Sequence, residues 1–377
     1  MSLKIRRYPD LSGPLYHYAN SLVLRFSKAC WTYFVDDGVT LTPIQGVTSV
    51  LKVIGGKKTD MLIGWAVKKD FEKLLNLIAE CRRADSFVEA PWGDLEEIVA
   101  IAKREHKQIL ETAGDMGHAA HEHLEAIAKS LMSHDDNRLN ELLAKWPQDE
   151  KSANAAIAAV TFIIDHNVRF IDSERRVISK DWLVAGTLDG DVLIDACDRT
   201  DCACQRYAPF KDKRVVLDYK TSNGVWTSYF GQMAMYRKAR CEEAAFCGEP
   251  ITYDGSVLIR LGKDDASEFE CWFTFGDTEY QEHLALFKRA LDLKESLDNI
   301  ERWMDSIKEA RKEKSRQAKA EAAKIRCDKA DDYKGSRMSK CLPDGSQCQA
   351  CRAIYLKKHP EADHDSKSNS ANETFTT

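Results

Sequence analysis

The stretch that decides the fold is VVLDYKTS, residues 215–222, together with AGTLDGDVLI, residues 185–194, upstream of it. Each is an apolar run broken by acids. Alternate residues of a strand share a face, so Asp218 and Lys220 share one, and Asp189 and Asp191 are expected to do the same. Strands favour Val, Ile and aromatic residues and disfavour Asp and Lys. A carboxylate and an ammonium on one side of an apolar strand therefore need a reason, and a divalent metal beside a reacting phosphate uses both.

Outward from this pair, residues 167–220 read as short β-runs: NVRFIDSERRVIS, WLVAGTLDGDVLI and RVVLDYKTS. The polar interval DACDRTDCACQRYAPFKDK, 195–213, reads as a loop between the last two. A helix is expected at about 226–244, then strands in SVLIRLGK and EFECWFTF, then a charged helix from about 278 to 326. Upstream, CWTYFVD (30–36) reads as a strand before an Asp-Gly turn, and helices are expected at about 58–83, within 94–133 and at 150–166. No repeat of 20–50 residues interrupts this order. The fold class expected is α/β: a central mixed sheet flanked by helices, with a helical N-terminal part and a long C-terminal helix.

Of the 377 residues, 44% are hydrophobic, enough for a substantial core, and the net charge of -5 argues against a generally basic nucleic-acid coat protein. An enzyme on DNA would instead concentrate positive charge locally. No apolar run approaches the roughly 18–20 residues that span a bilayer. The first twenty residues lack an apolar signal-type core, so a cytoplasmic protein is expected, in a bacterial or phage-infected cell. Twelve cysteines in a long chain of a reduced compartment suggest metal binding before disulfides.

Four motifs occur in a telling order. Gly114, His118 and Glu122 form G-x-x-x-H-x-x-x-E. Gly186, Thr187 and Asp189 form G-T-x-D. Asp218 and Lys220 form D-x-K, and Gln232 and Tyr236 form Q-x-x-x-Y. Each alone is weak; the ordered set, with acids on strands and the outer motifs on helices, is specific. Over roughly residues 40–275 the chain resembles the PD-(D/E)XK nucleases of the RecB-like exonuclease group, which includes phage recombination exonucleases and CRISPR-associated relatives. The resemblance implies a restriction-endonuclease-like core at 111–277, preceded by an N-terminal strand and helical region (1–110) and followed by a charged helical region (278–326), a cysteine-bearing tail (327–358) and a disordered tail (359–377).

It also implies a site. Asp189, Asp218, His118 and the main-chain carbonyl of Tyr219 would hold Mg²⁺, with Mn²⁺ an alternative because imidazole suits softer ions. Lys220 would orient the attacking water and stabilise transition-state charge. Gln232 and Tyr236, one helical turn apart, would face the site or the DNA backbone. Glu122 would hold the histidine or a nearby water. Asp191 is a rival of Asp189 for the ligand role, while His121 and His123 are expected to be solvated. Thr48, in a V-T-x-x-L segment that resembles phage members of the group, is expected to cap a helix rather than touch phosphate.

Cys341, Cys348 and Cys351 form C-x6-C-x2-C, and Cys327 is the nearest fourth thiol. Four cysteines suit tetrahedral Zn²⁺. Some relatives hold an iron–sulfur cluster with one upstream cysteine, here Cys30, and three C-terminal ones, although the C-x2-C-x5-C spacing of those relatives is not matched. Cys202 and Cys204 are a further C-x-C in the loop. Residues 308–326, with eight basic and three acidic residues, suit either DNA phosphates or a solvated helix face.

The function expected is a metal-dependent deoxyribonuclease, an exonuclease acting on DNA ends or single strands in recombination, repair or replication, with a recombination or replication protein as partner. A structure-specific or restriction-type endonuclease is the second expectation, since one core serves both. A non-catalytic DNA-binding scaffold is the third; Asp189, Asp218 and Lys220 argue against it.

Overall fold

The computed structural model describes residues 10–54, 56–83, 92–266 and 268–324. The chain forms two units, Met1–Glu295 and Ser296–Thr377. The candidate tail cysteines Cys327, Cys341, Cys348 and Cys351, and the tail ranges 327–358 and 359–377, lie outside the described residues.

The first unit opens with an antiparallel meander: β1 (Leu15–His17), β2 (Leu22–Ser27), β3 (Thr32–Asp36) and β4 (Leu41–Gly46). Only β3 is expected from the sequence. Pro43 hides β4, because proline normally argues against a paired strand, and β1 is too short to show a period. Helices follow: α1 (Val47–Leu51), α2 (Gly56–Arg83), α3 (Trp92–Ala102), α4 (Glu105–Ser133), α5 (Asp136–Ala144) and α6 (Glu150–Asp165). Thr48 lies inside α1, whose N-cap is Gly46, so it is not the cap. Asp135 and Asp149 cap α5 and α6 by accepting from the amides of Arg138 and Ser152.

The central strands are β5 (Arg169–Ser179), β6 (Val184–Ile194) and β7 (Lys213–Lys220). Helix α7 (Thr227–Phe246), β8 (Gly255–Leu261), β9 (Phe269–Phe275) and α8 (Asp277–Lys324) complete the described chain. All the strands join one mixed nine-stranded sheet in the order β1-β2-β3-β4-β6-β7-β8-β9, with β5 on β6. The N-terminal region is therefore continuous with the core sheet, and α4 runs through the boundary expected at 110/111.

Two packed layers cover the middle of this sheet. On one face, Val192, Leu217, Tyr219, Val257 and Ile259 meet α4 and α6. Four fully buried alanines of α6 (Ala155, Ala156, Ala158 and Ala159) let that helix lie close to the strands. On the other face, Leu188, Val216 and Leu258 meet Met233, Met235 and Tyr236 of α7 and Phe287 of α8. Strand β7 is buried on both sides, as a strand with a parallel neighbour (β8) usually is. Each fully buried Leu, Ile or Phe contributes about 1.5–3 kcal/mol. That stabilisation is what allows two charged residues to be held inside.

The sheet divides at β6. One edge of β6 pairs with β5 along its length. The other edge is shared: β4 takes Val184 and Ala185, and β7 takes Gly190 to Ile194. Residues 186–189, the G-T-x-D motif, sit in the fork where β4 and β7 part.

Candidate active site

The fork is built by four specific features. Gly186 is one: a Cβ there would lie 2.5 Å from Cε1 of the buried Tyr236 ring, so only glycine lets α7 lay that ring on β6. Thr187 is the second, its hydroxyl 2.9 Å from the Tyr33 hydroxyl of β3. Third, the side-chain alternation of β6 breaks. Leu188 and Asp191 both face α7, although an odd number of steps separates them. Fourth, Glu174, between residues that pair with Leu188 and Gly190, takes a left-handed backbone (φ 50°). A non-glycine residue in that conformation costs about 1–3 kcal/mol and needs support from its surroundings.

The break explains why Asp189 and Asp191 do not share a face, against the expectation from strand period. Asp191 is fully buried and pairs with Nε and Nη2 of Arg214 at 2.9 and 2.7 Å, with a further hydrogen bond from the Tyr253 hydroxyl at 2.7 Å. Its oxygens are committed to structure. Asp189 instead points to α4, where its Oδ2 accepts from the amide of Tyr219 at 2.9 Å and lies 3.7 Å from His121 Nδ1.

Asp218 and Lys220 do share a face. They form an ion pair under α7. Gln232 Nε2 donates to Asp218 Oδ1 at 3.3 Å and contacts the Tyr236 hydroxyl at 3.0 Å, and Lys220 Nζ lies 5.0 Å from the centre of the Tyr229 ring. Asp218 Oδ2 is buried and accepts no hydrogen bond of good geometry, Lys220 being its ion-pair partner. Tyr219 sits between the two, its amide on Asp189 and its ring edge-on to His121 at 6.1 Å.

The histidine is the main surprise. G-x-x-x-H-x-x-x-E occurs twice in α4, once at 114, 118 and 122 and again three residues on, at Gly117, His121 and Glu125. The second copy faces the site. His121, Glu174 and Asp189 bring ligand atoms within 4.8 Å of one another. Gly117 lies against Thr221 at the end of β7, where a Cβ would come 2.9 Å from Oγ1. His118 and Glu122 are exposed, and the His118 ring stacks on Trp31 of the β2–β3 turn at 5.8 Å. His121 is therefore not solvated. Nor is His123, whose Nε2 is buried and whose ring lies 5.3 Å from Trp146. Glu174 was not foreseen, because its role depends on a backbone turn that no sequence pattern announces.

The electrostatics fit a cation. Burial, then the Asp189 and Glu125 charges, raises the Glu174 carboxyl to about 8. Burial raises Asp218 to about 6 against the pull of Lys220, and raises Asp189 as well. Burial and Lys220 lower His121 to about 4, so its imidazole is neutral at pH 7 and its contact with Asp189 is not an ion pair. Burial would lower Lys220, but Asp218 and Asp189 outweigh it, and its ammonium is held above the ordinary value. Acids pushed towards protonation beside a neutral imidazole are groups whose charged or lone-pair forms a cation would favour.

Beside this group, a cavity of about 860 Å³ opens at the end of β7. It is lined by Trp65, Gly114, Lys151, Asn223, Trp226 and Lys263, among others. No known protein-family model and no curated protein matches this chain. No helix among the described residues is long and apolar enough to cross a membrane.

Proposed function

We propose that the chain is a divalent-metal-dependent deoxyribonuclease with its active centre in the fork of the sheet. The observation that carries this reading is the meeting of Asp189, Glu174 and a neutral His121 within 4.8 Å at a strand fork, where Asp189 also accepts from the amide of the residue between the paired Asp218 and Lys220, with raised carboxyl pKa values. Asp189, Asp218, Glu174, His121 and the Tyr219 carbonyl would hold the ion. His121 replaces His118 in that set. Mg²⁺ suits the oxygen donors and Mn²⁺ the imidazole. A bound ion would lower the pKa of a water and screen the phosphate.

The chain's own groups supply the rest. Lys220 stays protonated and points its charge at the place where negative charge grows on the phosphate. The Gln232 amide fixes Asp218 Oδ1, and Oδ2, ion-paired with Lys220, would be the oxygen that a ligand shares with that ammonium. The Tyr236 hydroxyl holds the Gln232 amide in turn. Beside them, the cleft holds Trp65 and Trp226, and its Lys151 and Lys263 are balanced by Glu105 and Asp264, so aromatic residues rather than net charge would suit it to single strands or frayed ends. A cleft for single strands or frayed ends favours an exonuclease over a closed-duplex endonuclease.

The test uses end-labelled linear DNA and covalently closed circular DNA, each with Mg²⁺, Mn²⁺ or EDTA. Metal-dependent shortening of the linear substrate with the circle untouched is expected. Cutting of the circle would replace the exonuclease reading by an endonuclease one. No metal-dependent cleavage of either would overturn the enzyme and favour a scaffold.

A further inference from the structure

We propose that His166, Cys197, Cys202 and Cys204 form a second metal centre, a closed structural zinc site at the far end of the two acid-bearing strands. It is independent of the nuclease reading. All four residues are buried, and their ligand atoms lie within 4.8 Å of one another. Cys197 Sγ is 3.4 Å from Cys204 Sγ, and Cys202 Sγ is 3.5 Å from His166 Nε2. Around one tetrahedral Zn²⁺, with bonds of about 2.3 Å to sulfur and about 2.0 Å to nitrogen, ligand atoms stand about 3.5–3.8 Å apart. The Cys197–Cys204 and Cys202–His166 distances already match, and the remaining pairs, all within 4.8 Å, would close by no more than about an ångström around the ion. A four-iron cluster puts each thiolate on a different iron and a two-iron cluster splits them into two separated pairs, so either needs wider spacing than one mutual group of four.

The surroundings are those of a ligand set rather than of packed thiols. His166 Nδ1 faces the carbonyl of Phe162 at 3.2 Å. Only a protonated Nδ1 can do so, which leaves the Nε2 lone pair aimed at Cys202. The Cys204 amide lies 3.5 Å from Cys202 Sγ, and Gln205 Nε2 lies 3.7 Å from Cys204 Sγ while donating to the Cys197 carbonyl at 2.6 Å. Such N–H groups favour thiolate. Cys271 of β9 lies 3.4 Å from Cys202 Sγ, either sulfur able to donate to the other, and stands outside the mutual group of four. Buried cysteines can act simply as small apolar residues, but that role gives no reason for three sulfurs and an oriented imidazole to point at one place.

The location gives the ion a purpose. The 195–212 segment joins β6 to β7, was expected to be a polar loop, and instead turns its cysteines inward. Its base is closed by Ala196 and Phe210 and by Asp195 and Asp212. Zinc would pin this loop to the C-cap of α6 and so fix the ends of both strands that carry Asp189 and Asp218. Binding releases three thiol protons to solvent and changes no oxidation state.

The test uses the full chain with serine at Cys327, Cys341, Cys348 and Cys351, purified reduced and without chelator. Elemental analysis should find about one zinc per chain, and Co²⁺ exchanged into the site should give the intense visible bands of a tetrahedral thiolate complex. Cys204→Ser should lower bound metal at least tenfold. Should that variant unfold, His166→Cys is the second arm. It should keep zinc and raise the cobalt–thiolate charge-transfer band by about a third, from three thiolates to four. Cys271→Ser should keep its zinc. Absence of zinc together with failure to take up cobalt would overturn the site. So would an intact mass showing Cys197–Cys204 and Cys202–Cys271 disulfides in the reduced preparation, or full zinc in Cys204→Ser. None of these readouts depends on DNA cleavage.

Discussion

Binding of Mg²⁺ to the fork should expel protons, and the number follows from the raised carboxyl groups. At pH 7, a carboxyl at about 8 is about nine-tenths protonated and one at about 6 about one-tenth. His121, at about 4, contributes nothing. The Glu174 proton is shared with Asp189, so the count belongs to the pair. About one proton should therefore leave per ion at pH 7, about half a proton at pH 8 and about a tenth at pH 9. Titration calorimetry at each pH, in two buffers of different ionisation enthalpy, reads this number directly. Mg²⁺ is the right probe because it ignores the cysteine cluster. Glu174→Gln should cut the release at pH 7 to about a tenth of a proton. A release that is zero at pH 7, or that does not fall between pH 7 and pH 9, would refute the claim that burial and mutual repulsion hold a proton on these carboxyls.

Three further outcomes are expected. Asp218→Ala and Lys220→Ala should each lower cleavage by at least about 10²–10³-fold while circular dichroism and melting remain native-like, and His121→Asn should fall with them while His118→Asn keeps wild-type cleavage; loss in His118→Asn alone would restore the first copy of the helix motif. Gly186→Ala forces a methyl into the Tyr236 ring and should cost about 1–3 kcal/mol in urea denaturation; an unchanged midpoint would show that the ring yields. In metal-free protein, the folded Glu174 pKa lies above its unfolded value of 4.5, so the native state holds a proton that the unfolded chain has lost. Buried neutral His121 gives the opposite slope up to about pH 6.5, so stability should fall as pH rises from about 7 through 8, and saturating Mg²⁺ should remove the fall; a rise in stability over that window without metal would contradict the assignment.

Much of the core was legible because it depends on local order. Val215, Leu217 and Tyr219 alternate with Val216, Asp218 and Lys220, and no other arrangement buries both sides of that strand. The same period misled at β6. It predicts that Asp189 and Asp191 share a face, and a chain cannot announce that a strand will change partners between Ala185 and Gly190. The helix motif was read in the wrong copy for a similar reason. Gly114, His118 and Glu122 have the same spacing as Gly117, His121 and Glu125, and three residues is nearly one helical turn, about 60° of rotation. Spacing alone cannot say which stripe faces a sheet.

The sequence by itself determined the class of fold, the strands that carry Asp189, Asp218 and Lys220, and the helix that offers Gln232 and Tyr236. These follow from hydrophobic period and from the improbability of burying charge without a use. The tertiary structure alone decided which histidine meets the acids, that Glu174 joins them, that Asp191 belongs to Arg214, and that His166 meets three cysteines across 31 to 38 positions of chain. Each of these is a contact between elements distant in sequence. Such contacts are set by how helices rotate and where strands part, quantities fixed by packing the whole core and by no single segment of it.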